Sequence, residues 1–133
     1  MHHHPNPFEL LNLCQNGLKK GGYLYIFDAI LREQHQKPDD FIRFTQDGIT
    51  YALENNGFKI KEIFTSKSPV EALLYTMDQV VQYDLPNDLL DDIERLKKLV
   101  TTKYQKTLHR NYQNLIRNHT SFPIAYSVLA QKT

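Results

Sequence analysis

At 133 residues, with 41% apolar and 23% charged residues, the chain has the size and composition of one globular domain able to bury a core. A net charge of +1 gives no electrostatic case for nucleic acid or an anionic membrane, and no apolar run approaches the ~20 residues that span a bilayer. The single cysteine, Cys14, excludes an internal disulfide framework, and with no signal-peptide pattern the expected compartment is the cytoplasm.

A helix is expected from Pro7 to Leu18, with Asn6 as its cap, proline at its first position, and Phe8, Leu11, Cys14 and Leu18 on one face. Lys19 and Lys20 suit its carboxyl end, and Gly21-Gly22 stop it. Tyr23 to Phe27 then reads as a strand without alternation, so both of its faces are expected to be buried, with Asp28 at its carboxyl end. A long polar loop follows from Ala29 to Phe44, a length more often functional than idle. Thr45 caps a second helix whose buried stripe is Ile49, Ala52 and Leu53, ended by Gly57. Phe58 to Phe64 is a second strand, with Phe58, Ile60 and Phe64 assigned to one face. Ser68-Pro69-Val70-Glu71 is a capping box, and its helix is expected to bury Val70, Leu73, Leu74, Met77, Val80 and Val81. A further helix from about Asn87 spaces Leu89, Ile93, Leu96 and Val100 for one face and runs toward Ile116, before a terminal strand over 122–132.

Taken in that order, the pieces resemble the carboxyl-terminal half of a class I S-adenosylmethionine-dependent methyltransferase. Leu18-Lys19-Lys20-Gly21-Gly22-Tyr23-Leu24 is similar to the family's Leu-Lys-Pro-Gly-Gly-x-Leu turn before its fifth strand, with Lys20 in place of proline. His4-Pro5-Asn6-Pro7 resembles the segment after the fourth strand, which lines the cofactor site. Leu53-Glu54-Asn55-Asn56-Gly57-Phe58 resembles the entry to the sixth strand, and Ala125 to Ala130 the seventh, antiparallel one. His35, Pro38, Asp40-Phe41, Arg43-Phe44-Thr45 and Gly48 follow a His-x-x-Pro-x-Asp-Phe-x-Arg-Phe-Thr-x-x-Gly pattern found in bacterial methyltransferase-like proteins, several of them linked to polysaccharide or other small-molecule modification.

The resemblance implies an α/β fold: a partial Rossmann-like sheet of about three strands, the last antiparallel, with flanking helices. Residues 1–66 would form the helix-strand-loop-helix-strand core, 67–121 a helical insertion or lid, and 122–133 the final strand. It implies methyl transfer from S-adenosylmethionine to a small molecule, such as a glycan or its precursor. The family's Gly-x-Gly-x-Gly turn does not occur in this sequence, where the only adjacent glycines are Gly21-Gly22. Weak or absent cofactor binding is therefore expected, from a truncated gene product, from a half that pairs with a partner chain through the edge of the 22–28 strand, or from a chain that acts without the cofactor. Of these the truncated product is preferred. The alternative function is a non-catalytic interaction module.

Ligands of open α/β sheets bind at the carboxyl ends of parallel strands, which selects Asp28 and the loop beyond it. His35 is the first choice for a general base, because its ordinary pKa lies near neutrality, with Asp28 beside it as the second catalytic candidate. Arg32 and Arg43 can clamp an anionic acceptor, and Glu33, Asp40 and His119 complete the substrate-binding set. The plainer reading, an Asp40/Arg43 or His35/carboxylate pair that pins the loop, stands beside it. His4 takes the cofactor-lining position by resemblance. The run His2-His3-His4 with His35 and Asp39 offers ligand types for zinc or iron, but nothing in the sequence fixes their spacing, so no metal is expected.

Overall fold

The computed structural model describes residues 1–65, 69–108 and 123–133. Its elements are α1 (Pro7–Gly17), β1 (Tyr23–Ala29), α2 (Gln46–Asn55), β2 (Phe58–Thr65), α3 (Pro69–Val80), α4 (Asn87–Leu108) and β3 (Ala125–Lys132). The chain divides into two compact units, one of Met1–Thr65 with Ala125–Thr133, the other Ser66–Ile124.

The first unit is a three-stranded sheet in the order β1-β3-β2. β3 pairs antiparallel with both neighbours, so β1 and β2 run in the same direction. Ala29 faces Ala125 and Thr65 faces Tyr126, so the carboxyl ends of β1 and β2 and the start of β3 share one rim. Asn6 caps α1 by accepting the Glu9 N–H at 3.2 Å, and Thr45 caps α2 by accepting the Gly48 N–H at 3.1 Å. At the far end of α1, Lys132 on β3 donates to the carbonyls of Gln15 and Leu18, at 2.6 and 2.8 Å. A cation brought from the other end of the sequence thus satisfies the helix's last carbonyls, the place assigned to Lys19 and Lys20.

The core lies between the helices and one sheet face. Leu11 of α1 and Ile49, Ala52 and Leu53 of α2 pack with Phe44 against Ile26, Phe58, Tyr126, Val128 and Ala130. Within the first unit α1 and α2 cover this face, and the exposed residues of β1 correct the expectation that it is buried on both sides. Ile26 and Asp28 point inward, whereas Tyr23, Tyr25 and Phe27 are exposed, Phe27 at 69%. In β2 the pairing register shifts between Ile60 and Glu62, which reverses the alternation beyond it. Ile63 therefore packs against the core, and Phe64, expected there, is exposed.

In the second unit α3 and α4 pack on each other. Ala72 and Met77 are the buried residues of α3, while Leu73 is exposed, contrary to its expected place in the stripe. On α4 Ile93 and Val100 are sheltered as expected, together with Leu90, Lys97, Thr101 and Tyr104, whereas Leu89 and Leu96 are exposed. Two of the four expected positions thus pass to their neighbours, and Lys97 occupies its place by pairing with Asp78 of α3 at 2.5 Å. Ser68 of the capping box, the stretch toward Ile116 and His119 lie outside the described residues.

Candidate functional site

The long loop after β1 contains no helix or strand, and its fixed points are polar. Asp40, with a side chain only 2% exposed, receives a forked pair of bonds from the Arg43 guanidinium, the longer at 2.7 Å. It also accepts the backbone N–H of His35 at 2.9 Å. The Arg43 bonds hold the Asp40 carboxyl well below the usual carboxylate range, and the Arg43 pKa is raised in return. Asp40 and Arg43 are thus the pin of the loop. Arg43 Nε is buried and has no hydrogen-bond partner among the described residues.

His2 and His3 dock onto this loop. The Phe41 N–H donates to the His2 carbonyl at 2.8 Å, and His3 Nδ1 donates to the carbonyl of Asp39. Asp28, at the end of β1, is 3% exposed and surrounded by donors. It accepts the backbone N–H of His2 at 3.2 Å, that of Ala29 at 3.0 Å, and the His2 imidazole through Nδ1, and the Met1 amino group lies 3.4 Å away. Asp28 therefore sits beneath the surface and orients His2. Beyond that imidazole, His2 Nε2 faces His35 Nε2 at 3.3 Å. Burial lowers the His2 pKa, with His3 and Arg43 acting the same way and Asp28 opposing them.

Asp28, Tyr126 and Thr65 lie in one row across β1, β3 and β2, and all three are buried. Burial raises the Tyr126 pKa, and the nearby Asp28 carboxylate adds to it. The Tyr126 hydroxyl makes no well-formed hydrogen bond among the described residues. Beside the row, Arg32, Gln34, Asp40, Phe41, Ile42 and Arg43 line an open pocket of about 260 Å³, below the ~300–1,000 Å³ of most small-molecule sites.

Of the expected residues, Asp28, His35, Asp40 and Arg43 come together at the rim, Arg32 lines the pocket beside them, and Glu33 contributes its carbonyl to His35 Nδ1 at 3.2 Å. His4 is not one of the three clustered imidazoles and instead accepts the Asn6 N–H at 3.1 Å. Tyr126 carries no expected role, and His2 and His3 enter only within the histidine run considered, and set aside, as metal ligands. The histidine run reads as solvated until the loop folds over it, and nothing in the sequence pairs Tyr126 with Asp28. Gly21-Gly22, matched by resemblance to the turn before the fifth strand, does not reach the rim. It lies at the opposite end of β1 and is tied down by β3, Gly21 N–H to the Lys132 carbonyl at 3.0 Å and Gln131 Nε2 to the Gly21 carbonyl at 2.9 Å. No other adjacent glycines are present to form a cradle.

These elements define an α/β chain with four helices among the described residues and an open sheet of antiparallel pairings. None of those helices is long and apolar enough to cross a membrane. The chain matches no family model, no curated protein and no solved structure.

Proposed function

We propose that this chain is the acceptor side of a class I S-adenosylmethionine-dependent methyltransferase with a Rossmann-like sheet, and that its rim holds a small anionic or hydroxylated molecule such as a glycan or its precursor. The cofactor would be held by residues outside this sequence. The observation that carries the reading is the convergence of Asp28, His35 and the Arg32/Arg43 pocket at the carboxyl ends of two strands of like direction, with the last strand antiparallel to both. In this reading Asp28 fixes the His2 imidazole through Nδ1, and the facing Nε2 atoms of His2 and His35 are where an acceptor hydroxyl would leave its proton. Arg32, which lines the pocket, supplies donors for an anionic group. Calorimetric titration with sugar phosphates and uronic acids is expected to find at least one saturable ligand, bound about tenfold more weakly by Arg32→Gln, as for the loss of one charged hydrogen bond. A chain that binds none of them, or binds equally well without Arg32, contradicts the reading.

A second reading, a non-catalytic module that pairs with another chain, draws on β1. Its outer edge is unpaired among the described residues, and Tyr23, Tyr25 and Phe27 are exposed beside it. Sedimentation would then find self-association or capture of a partner chain that Phe27→Lys weakens. A wild-type chain that sediments as a monomer and unfolds cooperatively removes this reading.

A further inference from the structure

The three histidines His2, His3 and His35 come from two segments, yet one ring nitrogen from each lies within 4.8 Å of the others. Their rings are close throughout, with centroids 3.8 Å apart for His2 and His3, 5.1 Å for His2 and His35, and 4.8 Å for His3 and His35.

The hydrogen bonds decide what these rings present to one another. A carbonyl oxygen only accepts, so His35 Nδ1 donates to the Glu33 carbonyl and His3 Nδ1 to the Asp39 carbonyl. His2 Nδ1 donates to the Asp28 carboxylate. Each neutral ring has then committed its one proton outward, leaving Nε2 as a bare lone pair. Those of His2 and His35 face each other at 3.3 Å, a repulsive arrangement unless something positive lies between them. With zinc–nitrogen bonds of ~2.0–2.1 Å, the edge of a tetrahedral site is about 3.3–3.4 Å, which is this separation. An Nδ1–H bond outward to a carboxylate or a backbone carbonyl is also how metal-ligating histidines are held.

We propose that His2, His3 and His35 form a three-nitrogen site for a divalent cation of zinc type, with Asp28 and the carbonyls of Glu33 and Asp39 as the groups that orient the ligands. Three neutral imidazoles leave a fourth position for water or an oxygen of a bound molecule. The sequence withheld this site because His35 stands 33 residues from His2; the fold closes that gap. The lone pairs that would take a proton are the ones that would take the cation, so pH and cation concentration select between them. The site does not depend on methyl transfer, since cation binding is read without cofactor or acceptor.

The test is titration of the full chain with Zn²⁺ by calorimetry, and with Co²⁺ by visible spectroscopy. The expected result is one cation per chain, with the intense visible bands of four-coordinate Co²⁺ bleached by added Zn²⁺. His35→Ala is expected to abolish the bands, and Asp28→Asn to weaken affinity about 10–100-fold, as losing an orienting partner does. If His35→Ala loses the wild-type circular dichroism, His35→Gln and His3→Gln are read in its place. A chain that binds no Co²⁺ in four-coordinate form, or binds it undiminished when His35 is replaced, overturns the proposal and assigns any binding to the His2-His3-His4 run alone.

Discussion

Tyr126→Phe isolates a single buried hydroxyl. The Tyr126 side chain is 1% exposed, its ring is part of the core, and its oxygen is buried without a well-formed hydrogen bond among the described residues. An unsatisfied buried hydroxyl costs about 1–3 kcal/mol, and removing it leaves a void no larger than a methyl group, worth ~1 kcal/mol. The two effects oppose each other, and the expected net change is zero to about 2 kcal/mol of added stability. For a unit of this size each kcal/mol raises Tm by about 4–8 °C. The variant should also behave differently in alkali. Burial and Asp28 raise the tyrosine pKa in the folded state above its ordinary 10.0, so the unfolded chain releases this proton first. That contribution to stability is complete below pH 10.0 and is lost as the pH rises toward the folded-state value. Thermal unfolding of wild type and Tyr126→Phe across that range should give curves that separate further as pH rises, with the phenylalanine chain the more stable. A Tyr126→Phe chain destabilised by more than about 1 kcal/mol at neutral pH refutes the reasoning, because the hydroxyl would then be bonded, with Asp28 the nearest acceptor.

Other outcomes follow from the same geometry. Leu53→Ala empties a fully buried position under the sheet and should cost about 2–5 kcal/mol in denaturant unfolding, enough to unfold a marginal unit. Thr45→Ala removes the acceptor for the Gly48 N–H and should cost ~1 kcal/mol, whereas Thr45→Asn should be near neutral. The Asp40 carboxyl is held below its ordinary 3.8 by Arg43, so its stabilising contribution is present above pH 3.8 and is lost as pH falls further. Arg43→Gln should flatten that acid limb and raise amide hydrogen exchange across residues 30–44, where the loop has no other forked ion pair among the described residues.

The sequence carried the local signals well, because each was set by a few adjacent residues. Asn6-Pro7 and Thr45 as helix starts, Gly57 as a stop with φ at 75°, and Ile49, Ala52 and Leu53 as a buried stripe all stand where propensity puts them. What it misjudged depended on partners distant in the chain. An unbroken apolar run in β1 looks the same whether helices cover one face or both, and the register shift after Ile60 redirects Phe64 by means of β3. The rim was legible in part. Asp40, Arg43 and His35 sit within one loop and could be paired from spacing, whereas the docking of His2 and His3 onto that loop is a tertiary event.

The proposed reading assigns the acceptor side of a methyl-transfer site to this chain and the cofactor to residues outside it, and the most direct check is a calorimetric titration of the isolated chain with S-adenosylmethionine. The expected result is no saturable binding in the micromolar range, because Gly21-Gly22 is committed to β3 at the far end of β1. Stoichiometric micromolar binding would contradict it.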